Sequence, residues 1–357
     1  VTALYQCGIK GPVEFRFMAG SYGNLTFNQN VPGSSTTNTI TFTSLSGNPG
    51  SVTFASLGDV ALTFDNVSNF IFKNVTLNAT LGTHAVEFKN TCSNIVLYGC
   101  NIIADPTTTQ TYAGIYRNGT SGSSASLSNI RIIKNNISGG YYNIYWYYGG
   151  GSSSYMGSGC YIDSNVCTNA YYYGINLHYS YTNFNSVSYN KVICRSSNSS
   201  SNFYGIRFYY YNNIGEVVGN KVYIRNTAVN YAYPMYIYYY NNYTNNPFGS
   251  MLVANNELIS EAGSYSYGLY VYNYSLVNVI NNSIYGSASS TAYGLYLYTT
   301  STTYPIVAKN NNAHVANAST GYPLYISSTT YASSSYVTLD YNNYYNANYV
   351  GYVGGAR

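Results

Sequence analysis

The chain has 357 residues, a net charge of +4 and only 7% charged residues, against about 25% in average soluble domains. The 14 basic side chains form no block, which disfavours nucleic-acid binding, and no run of about 18 apolar residues predicts membrane insertion. Tyrosine is abundant, with 49 residues, and its hydroxyls join Asn, Ser, Thr and Gly as the source of polar surface. The sequence begins with Val1 and shows no signal peptide, which we interpret as a mature or trimmed chain.

Residues 1–80 contain short alternating segments such as VEFRF (13–17), TNTITF (37–42) and NFIFKNVTL (69–77). Alternation of apolar and polar residues over four to six positions, bounded by Gly, Asn and Ser, indicates β-strands. We interpret this region as less regular first turns of a repeat that becomes clear further along the chain. No Pro-rich linker or charge run marks a boundary, so the sequence predicts one domain over 1–357, with regular turns over 81–345 and a tail over 346–357.

From residue 85 onward, a small residue, Asn or Pro followed by an aliphatic residue recurs about every 30 residues. The first members of these pairs are Ala85, Gly114, Asn143, Gly174, Gly205, Pro234, Gly268, Gly294 and Pro323. Each period contains three short alternating segments and no helical stripe. The pattern predicts an all-β fold, a single-stranded right-handed parallel β-helix with about 30 residues and three short strands per coil. A β-propeller fits less well, because each blade requires four strands and about 40–45 residues.

The pairs described above are the first marker of the repeat. A second marker is an Asn that keeps a fixed position relative to these pairs and recurs with the same period. Asn tolerates the backbone of sharp bends, and its side-chain amide can bond the equivalent Asn of the next coil. We therefore predict a structural Asn ladder, with Asn165 filling one gap after a shift of one residue. The predicted members are Asn101, Asn135, Asn190, Asn220, Asn256, Asn282, Asn312 and Asn343.

Tyrosine-rich strands recur in the C-terminal half, in YGIRFYYYNN (204–213), MYIYYYNN (235–242) and YGLYVYNY (267–274). If Ile206 points into the core, alternation points Tyr209 outward, and the same phase applies to later coils. This predicts two outer tyrosine columns, Tyr236, Tyr270, Tyr296 and Tyr325, and Tyr209, Tyr238, Tyr272 and Tyr298. Two interpretations stay open: the rings stabilise neighbouring strands, or they form an exposed face that contacts surface proteins, other copies of the chain or glycans.

The six cysteines lie within the first 194 residues and form no CxxC pair, which disfavours a zinc site. Disulfides are expected if the chain is exported, and buried free thiols are the alternative. The sequence contains no cluster of acidic residues typical of calcium binding, and it predicts no metal and no cofactor.

The sequence contains no recognisable arrangement of catalytic residues. Its ten acidic residues form no adjacent pair, and the closest two, Glu257 and Glu261, are interpreted as a strand-to-loop exit at the surface. His84, His178 and His314 are scattered, with His178 predicted to lie on the outer surface, and no GxSxG motif is present. These observations favour a protein that is not an enzyme. The alternative is a carbohydrate-active β-helix protein that binds or cleaves polysaccharide.

Three segments, ALYQCGIKGPVEFRFMAGSYGNLTF (3–27), GSSTTNTITFTSLSGNPGSVTF (33–54) and LDYNNYYN (339–346), resemble parallel β-helix proteins that Bacteroidota export through the type IX secretion system. The resemblance spans nearly the whole chain and is most specific in the N-terminal block. It implies an extracellular or cell-surface location and no particular activity. Together with the composition, it predicts a structural or adhesive surface protein that contacts other surface proteins, copies of itself or glycans.

Overall fold

The chain folds into coils of three short β-strands, and strands of successive coils pair in parallel. The computed structural model describes residues 1–197, 200–239, 246–273, 276–316 and 318–354. Each coil takes about 29 residues. The predicted fold class, an all-β parallel β-helix with three strands per coil, is therefore confirmed.

The chain divides into two units, one of Val1–Ala170 with Ser180–Phe184 and the other of Tyr171–Tyr179 with Asn185–Arg357. The first begins with a short helix that the sequence did not predict, α1 (Thr2–Cys7). Its strands are β1 (Val13–Phe17), β2 (Gly20–Tyr22), β3 (Leu25–Phe27), β4 (Ile40–Ser44), β5 (Val52–Leu57), β6 (Leu62–Asp65), β7 (Phe70–Lys73), β8 (Thr76–Leu81), β9 (His84–Lys89), β10 (Cys92–Tyr98), β11 (Asn101–Ala104), β12 (Ala113–Asn118), β13 (Leu127–Ile133), β14 (Asn136–Ser138), β15 (Tyr142–Tyr147), β16 (Gly157–Asp163) and β17 (Val166–Ala170). Single-turn 3₁₀ helices lie at Pro49–Ser51 and Ser153–Tyr155.

The second unit contains a further 3₁₀ helix at Thr329–Ala332, and its last strand lies inside the predicted C-terminal tail. The remaining strands, of which β19 has residues in both units, are β18 (Tyr173–His178), β19 (Thr182–Ser186), β20 (Lys191–Cys194), β21 (Asn202–Tyr209), β22 (Asn212–Val218), β23 (Lys221–Arg225), β24 (Tyr231–Tyr239), β25 (Met251–Ala254), β26 (Glu257–Glu261), β27 (Tyr265–Asn273), β28 (Val277–Ile280), β29 (Ser283–Ser287), β30 (Thr291–Thr299), β31 (Ile306–Lys309), β32 (Asn312–Ala316), β33 (Thr320–Ile326), β34 (Val337–Asp340), β35 (Asn343–Tyr345) and β36 (Gly351–Val353). The assignment of the chain to a single domain stays a prediction.

Each unit has three parallel sheets, here named A, B and C in the order in which the chain visits them. In the first unit the strand orders are β1-β4-β7-β10-β13-β16 in sheet A, β2-β5-β8-β11-β14-β17 in sheet B and β3-β6-β9-β12-β15 in sheet C. In the second unit they are β22-β25-β28-β31-β34 in sheet A, β20-β23-β26-β29-β32-β35 in sheet B and β18-β21-β24-β27-β30-β33-β36 in sheet C.

The core consists of side chains that occupy equivalent positions in successive coils. In the first unit several phenylalanines are buried among aliphatic residues, and the rings of Phe42 and Phe72 stack with centroids 4.8 Å apart, close to the spacing of paired strands. In the second unit the aliphatic residues of the recurring pairs are in register from coil to coil and buried, so these pairs identify an inward-facing position. The residues at this position are Ile206, Met235, Leu269, Leu295 and Leu324.

A buried Asn ladder runs along the bend between sheets A and B in the second unit. The Oδ1 atom of Asn256 accepts bonds from the backbone N–H and the side-chain amide of Asn220, at 2.9 and 3.0 Å. The amide of Asn256 in turn donates to Oδ1 of Asn282 and to the carbonyl of Val217. The full series is Asn190, Asn220, Asn256, Asn282, Asn311 and Asn342, and Asn135 and Asn165 form the equivalent contact in the first unit.

Three of the predicted ladder residues are wrong by one position. Cys100 occupies the bend where Asn101 was expected, and its backbone N–H donates to Oδ1 of Asn135. Asn312 and Asn343 follow the true ladder residues and point outward, where they bond each other at 3.2 Å. At each bend one residue adopts the left-handed backbone conformation, as Asn310 does with a φ of 55°. The ladder residue is the one that follows it, which is Asn311 in this coil.

The small residues of the first marker allow sheet C to approach sheet B closely. A Cβ atom on Gly205 would lie 2.2 Å from Cγ1 of Val222 and 2.5 Å from the carbonyl oxygen of Pro234. Gly205 and Ile206 are consecutive buried residues, so strict in-and-out alternation is interrupted at this point of β21. Odd-numbered residues of β21 are buried up to Gly205, and even-numbered residues are buried from Ile206 onward.

The expected disulfides are absent, because all six cysteines are free. Cys7 is exposed, and the other five are buried in the interior, where Sγ of Cys92 and of Cys100 donates to backbone carbonyls. Burial raises the pKa of the Cys92 and Cys100 thiols to about 11, which disfavours the reactive thiolate. The alternative of buried thiols therefore applies to five of the six positions. In the part of the chain that the structure describes, no helix has the length and apolarity needed to span a membrane.

Candidate functional site

The outer side of sheet C in the second unit carries in-register columns of tyrosine, which we name the tyrosine face. The first predicted column has ring centroids 4.6 Å apart at each step from Tyr236 through Tyr270 and Tyr296 to Tyr325. The structure extends it by Tyr352, at 4.9 Å. The second predicted column consists of Tyr209, Tyr238, Tyr272 and Tyr298, with centroid steps of 5.1, 4.4 and 4.5 Å. All eight predicted tyrosines thus lie on one surface.

A third tyrosine column lies beside the first and was missed by the sequence analysis. Its members are Tyr204, Tyr233, Tyr267, Tyr293 and Tyr322, and the first three steps between ring centroids are 4.6, 4.6 and 4.8 Å. Tyr233 precedes Tyr236 by three residues, an odd number that strict alternation would place on opposite faces. The two consecutive buried residues at Pro234 and Met235 bring both tyrosines to the same side. The recurring Gly or Pro was the signal that could have revealed this column.

Neighbouring columns meet edge to face. The ring planes of Tyr233 and Tyr236 lie at 86°, and those of Tyr293 and Tyr296 at 82°. Offset or perpendicular ring pairs each contribute roughly 0.5–1.5 kcal/mol beyond simple burial. The columns therefore stabilise the sheet, and the structural interpretation of the tyrosines holds whether or not a partner binds.

Stacking within a column covers the ring faces, so the rings meet the surface mainly with their edges. All of the eight predicted tyrosines are half-buried. Burial raises the pKa of Tyr296 to about 12 and holds the pKa of Tyr270 well above its usual value, with neighbouring tyrosines adding to the effect. These hydroxyls stay protonated at neutral pH and act as hydrogen-bond donors. A sugar ring, which stacks on an aromatic face, finds few open faces within the columns.

A single charged side chain lies on the tyrosine face among the residues that the structure describes there. Arg207 precedes Tyr236 in the first column, and its guanidinium carbon lies 4.0 Å from the ring centroid of Tyr209. It also lies 5.3 Å from the ring centroid of Tyr204. These cation–π contacts hold the arginine against the first rings of the columns. Because no second charged side chain lies among the described residues of the face, most of the face is neutral.

Five of the ten acidic residues form ion pairs with lysine or arginine side chains in the part of the chain that the structure describes. Glu257 pairs with Lys221 at 3.6 Å, and Glu261 pairs with Arg225 at 3.9 Å. Glu257 and Glu261 are the first and last residues of β26, so their Cα atoms are about 13 Å apart at the rise of a strand. Glycoside hydrolysis requires carboxylates about 5–9.5 Å apart. Within the described residues, no group of three His, Cys, Asp or Glu side chains is placed to hold a metal.

Two histidines are packed against aromatic rings. His178 was predicted to lie on the outer surface, and it is half-buried there against Tyr209, with ring centroids 5.0 Å apart. The ring of His84 stacks on Tyr116 at 3.8 Å, and its Nδ1 accepts a bond from the backbone N–H of Ala113. Burial lowers the pKa of each of these imidazoles from 6.5 to about 4.

We expect His84 to make the stability of the first unit depend on pH. The folded state favours the neutral imidazole, so the contribution is complete above pH 6.5 and is lost as the pH falls from 6.5 towards 4. Allowing for partial exposure, the loss is about 2 kcal/mol. Denaturation at a series of pH values should show a smaller slope in His84→Phe, which keeps the stacking on Tyr116 but cannot be protonated. An equal slope in both proteins would contradict this assignment.

Comparison of the chain with protein families and with curated proteins finds no match. Among solved structures, the chain is similar to the crystal structure of PfbA, a surface adhesin of Streptococcus pneumoniae. The two share 12% sequence identity with a TM-score of 0.45, over 95% of this chain and 77% of that chain. Similarity this weak supports no inference about function, so the functional conclusion depends on the tyrosine face itself.

Proposed function

We propose that this chain is a non-enzymatic, extracellular structural or adhesive β-helix protein that binds protein surfaces through its tyrosine face, in the first place the same face of a second copy. The observation that supports this is the set of three in-register tyrosine columns that together line one surface of sheet C. Tyrosine suits such contacts, because each ring supplies apolar area and a hydrogen-bonding group while losing little conformational freedom on binding.

Two physical features favour contact between like faces. The columns repeat with the spacing of paired strands, about 4.8 Å, so the ridges of one face match the grooves of an identical face. The face carries one arginine and no acidic side chain among its described residues, so two copies meet with little electrostatic repulsion. A patch of aromatic edges on this scale is large for a surface without a partner.

The extracellular location is supported by the low content of charged residues, 7%, and by the resemblance to β-helix proteins exported by Bacteroidota. Export through the type IX secretion system stays a prediction.

The proposal is tested by sedimentation velocity over a range of protein concentrations. We expect the wild-type chain to associate, and Tyr270→Arg to weaken association at least tenfold, because face-to-face contact would bring two unpaired charges into a desolvated interface. Asn278→Arg is the matched control, since Asn278 is a half-buried outward residue of β28 in sheet A. Equal association of the two variants, or a wild-type chain that stays monomeric at every concentration, would refute the proposal.

A further inference from the structure

Arg117 is a buried arginine at a position where the adjacent coils of the first unit carry aromatic residues. Its side chain is almost fully buried, with the residue 2% exposed, and its register partners in sheet C are Phe88 and Trp146. A buried charge is costly unless a counter-charge or hydrogen bonds compensate it. Burial accordingly lowers the pKa of the Arg117 guanidinium.

The guanidinium of Arg117 uses only part of its five N–H donors within the protein. Nε donates to the carbonyl oxygen of Tyr148 at 3.1 Å, and Nη1 donates to those of Phe88 and Asn90 at 3.4 and 3.0 Å. These carbonyls are neutral, and no carboxylate of the described residues forms an ion pair with Arg117. Nη2, which carries two N–H groups, has no acceptor among the described residues. One donor nitrogen and one positive charge are therefore left for a ligand.

A cavity of about 190 Å³ lies beside this nitrogen. Its lining includes Arg117, Lys89, Gly119, Thr120 and Ser123. A Cβ atom on Gly119 would lie 2.8 Å from Nη2, so the absence of a side chain leaves this nitrogen accessible from the cavity. The volume is several times the roughly 30 Å³ that a water molecule occupies in the liquid. The cavity therefore has room for a polyatomic ligand next to Nη2.

The other lining residues favour an anion. The ammonium group of Lys89 pairs with Glu87 at 3.1 Å, and the lysine side chain is 49% exposed, so it can turn towards a ligand in the cavity. Thr120 and Ser123 each bring a hydroxyl group, and Oγ of Ser123 accepts a bond from the backbone N–H of Ala125, which leaves its own O–H to donate. None of the lining residues that the structure describes is acidic.

We propose that this cavity binds one tetrahedral oxyanion, a sulfate or phosphate group, between Nη2 of Arg117 and Nζ of Lys89. Arginine commonly binds a planar carboxylate through two parallel N–H bonds from two of its nitrogens. In Arg117 both Nε and Nη1 are committed to carbonyl groups, so that arrangement cannot form. The oxygens of a tetrahedral anion point in four directions and can accept from Nη2, from Lys89 and from the hydroxyl groups of Thr120 and Ser123. A free ion and an ester on a glycan share this chemistry.

The test is isothermal titration calorimetry of the full chain with sodium sulfate, sodium phosphate and N-acetylglucosamine 6-sulfate. Calorimetry is preferable to thermal unfolding, because sulfate and phosphate stabilise folded proteins in general. We expect one site with a Kd below about 1 mM for at least one of the three ligands. Binding of the sugar sulfate would identify an esterified group as the ligand, and binding of the inorganic salts alone would identify the free ion.

Two lysine variants locate the site. Lys89→Gln is expected to weaken binding about tenfold, because it removes a charge-assisted hydrogen bond to the anion. Lys73→Gln is the matched control and should bind like the wild-type chain, since it removes the same charge and an ion pair with Glu14 but lies on β7 in sheet A.

Arg117→Met keeps an unbranched side chain between Phe88 and Trp146 and is expected to abolish binding. If this variant does not fold, the comparison of the two lysine variants still decides the question. No binding of any of the three ligands at millimolar concentration by the wild-type chain, or equal binding by Lys89→Gln and Lys73→Gln, would overturn the proposal. Neither result bears on the tyrosine face, since the cavity belongs to the first unit and the face to the second.

Discussion

Asn311→Ala is expected to lower the free energy of unfolding of the second unit by about 4 kcal/mol, because it leaves several buried polar groups without partners. Oδ1 of Asn311 accepts from the backbone and side-chain nitrogens of Asn282, at 3.0 and 2.9 Å. Its own amide donates to Oδ1 of Asn342 and to the carbonyl of Val279, both at 2.9 Å. The substitution therefore breaks the ladder in both directions at a residue that is 1% exposed.

The adjacent residue provides the matched control. Asn312→Ala removes one exposed contact, the 3.2 Å bond from the amide of Asn343, and is expected to cost less than about 0.5 kcal/mol. Guanidinium denaturation followed by circular dichroism measures both variants under the same conditions. Similar destabilisation by the two substitutions would show that the ladder does not lie where the structure places it.

Gly205→Ala is expected to destabilise the second unit by about 3 kcal/mol, because a methyl group has no room between sheets C and B. Its Cβ would lie 2.2 Å from Cγ1 of Val222 and 2.5 Å from the carbonyl oxygen of Pro234. The carbonyl belongs to the next coil and cannot move away without disturbing the pairing of β21 with β24. Either the side chain of Val222 must leave its position or the two strands must separate.

Gly23→Ala serves as the comparison, since a Cβ atom there would meet nothing within 4 Å. Thermal unfolding of both variants measures the difference, and Gly23→Ala should fall within about 0.5 kcal/mol of the wild-type chain. A wild-type melting temperature in Gly205→Ala would mean that the recurring small residue is not required for close packing of the sheets.

The fold was predictable because two independent periods are present in the sequence. Alternation identifies strands, and the recurrence of Gly205, Pro234 and Gly268 before aliphatic residues sets the length of a coil. The in-register column that begins at Ile206 follows directly from these two periods. The helix α1 lacks such a repeat, so nothing in the pattern distinguished Thr2–Cys7 from the neighbouring coils.

The errors arose where identical residue types adjoin or where alternation is interrupted. In the run Asn310-Asn311-Asn312, only the backbone decides which residue takes the left-handed conformation and which enters the ladder. The third tyrosine column was hidden because Pro234 and Met235 are both buried, which no alternating pattern anticipates.

Chemical nitration of tyrosine, mapped by mass spectrometry at low and high protein concentration, tests the central claim most directly. If like faces bind each other, nitration of Tyr236, Tyr270 and Tyr296 should fall at high concentration. Tyr189 and Tyr341, which are 64% and 83% exposed and lie on the bend between sheets A and B, should react equally at both concentrations. Unchanged reactivity of the face tyrosines across the concentration range would contradict the proposal that this face is the site of adhesion.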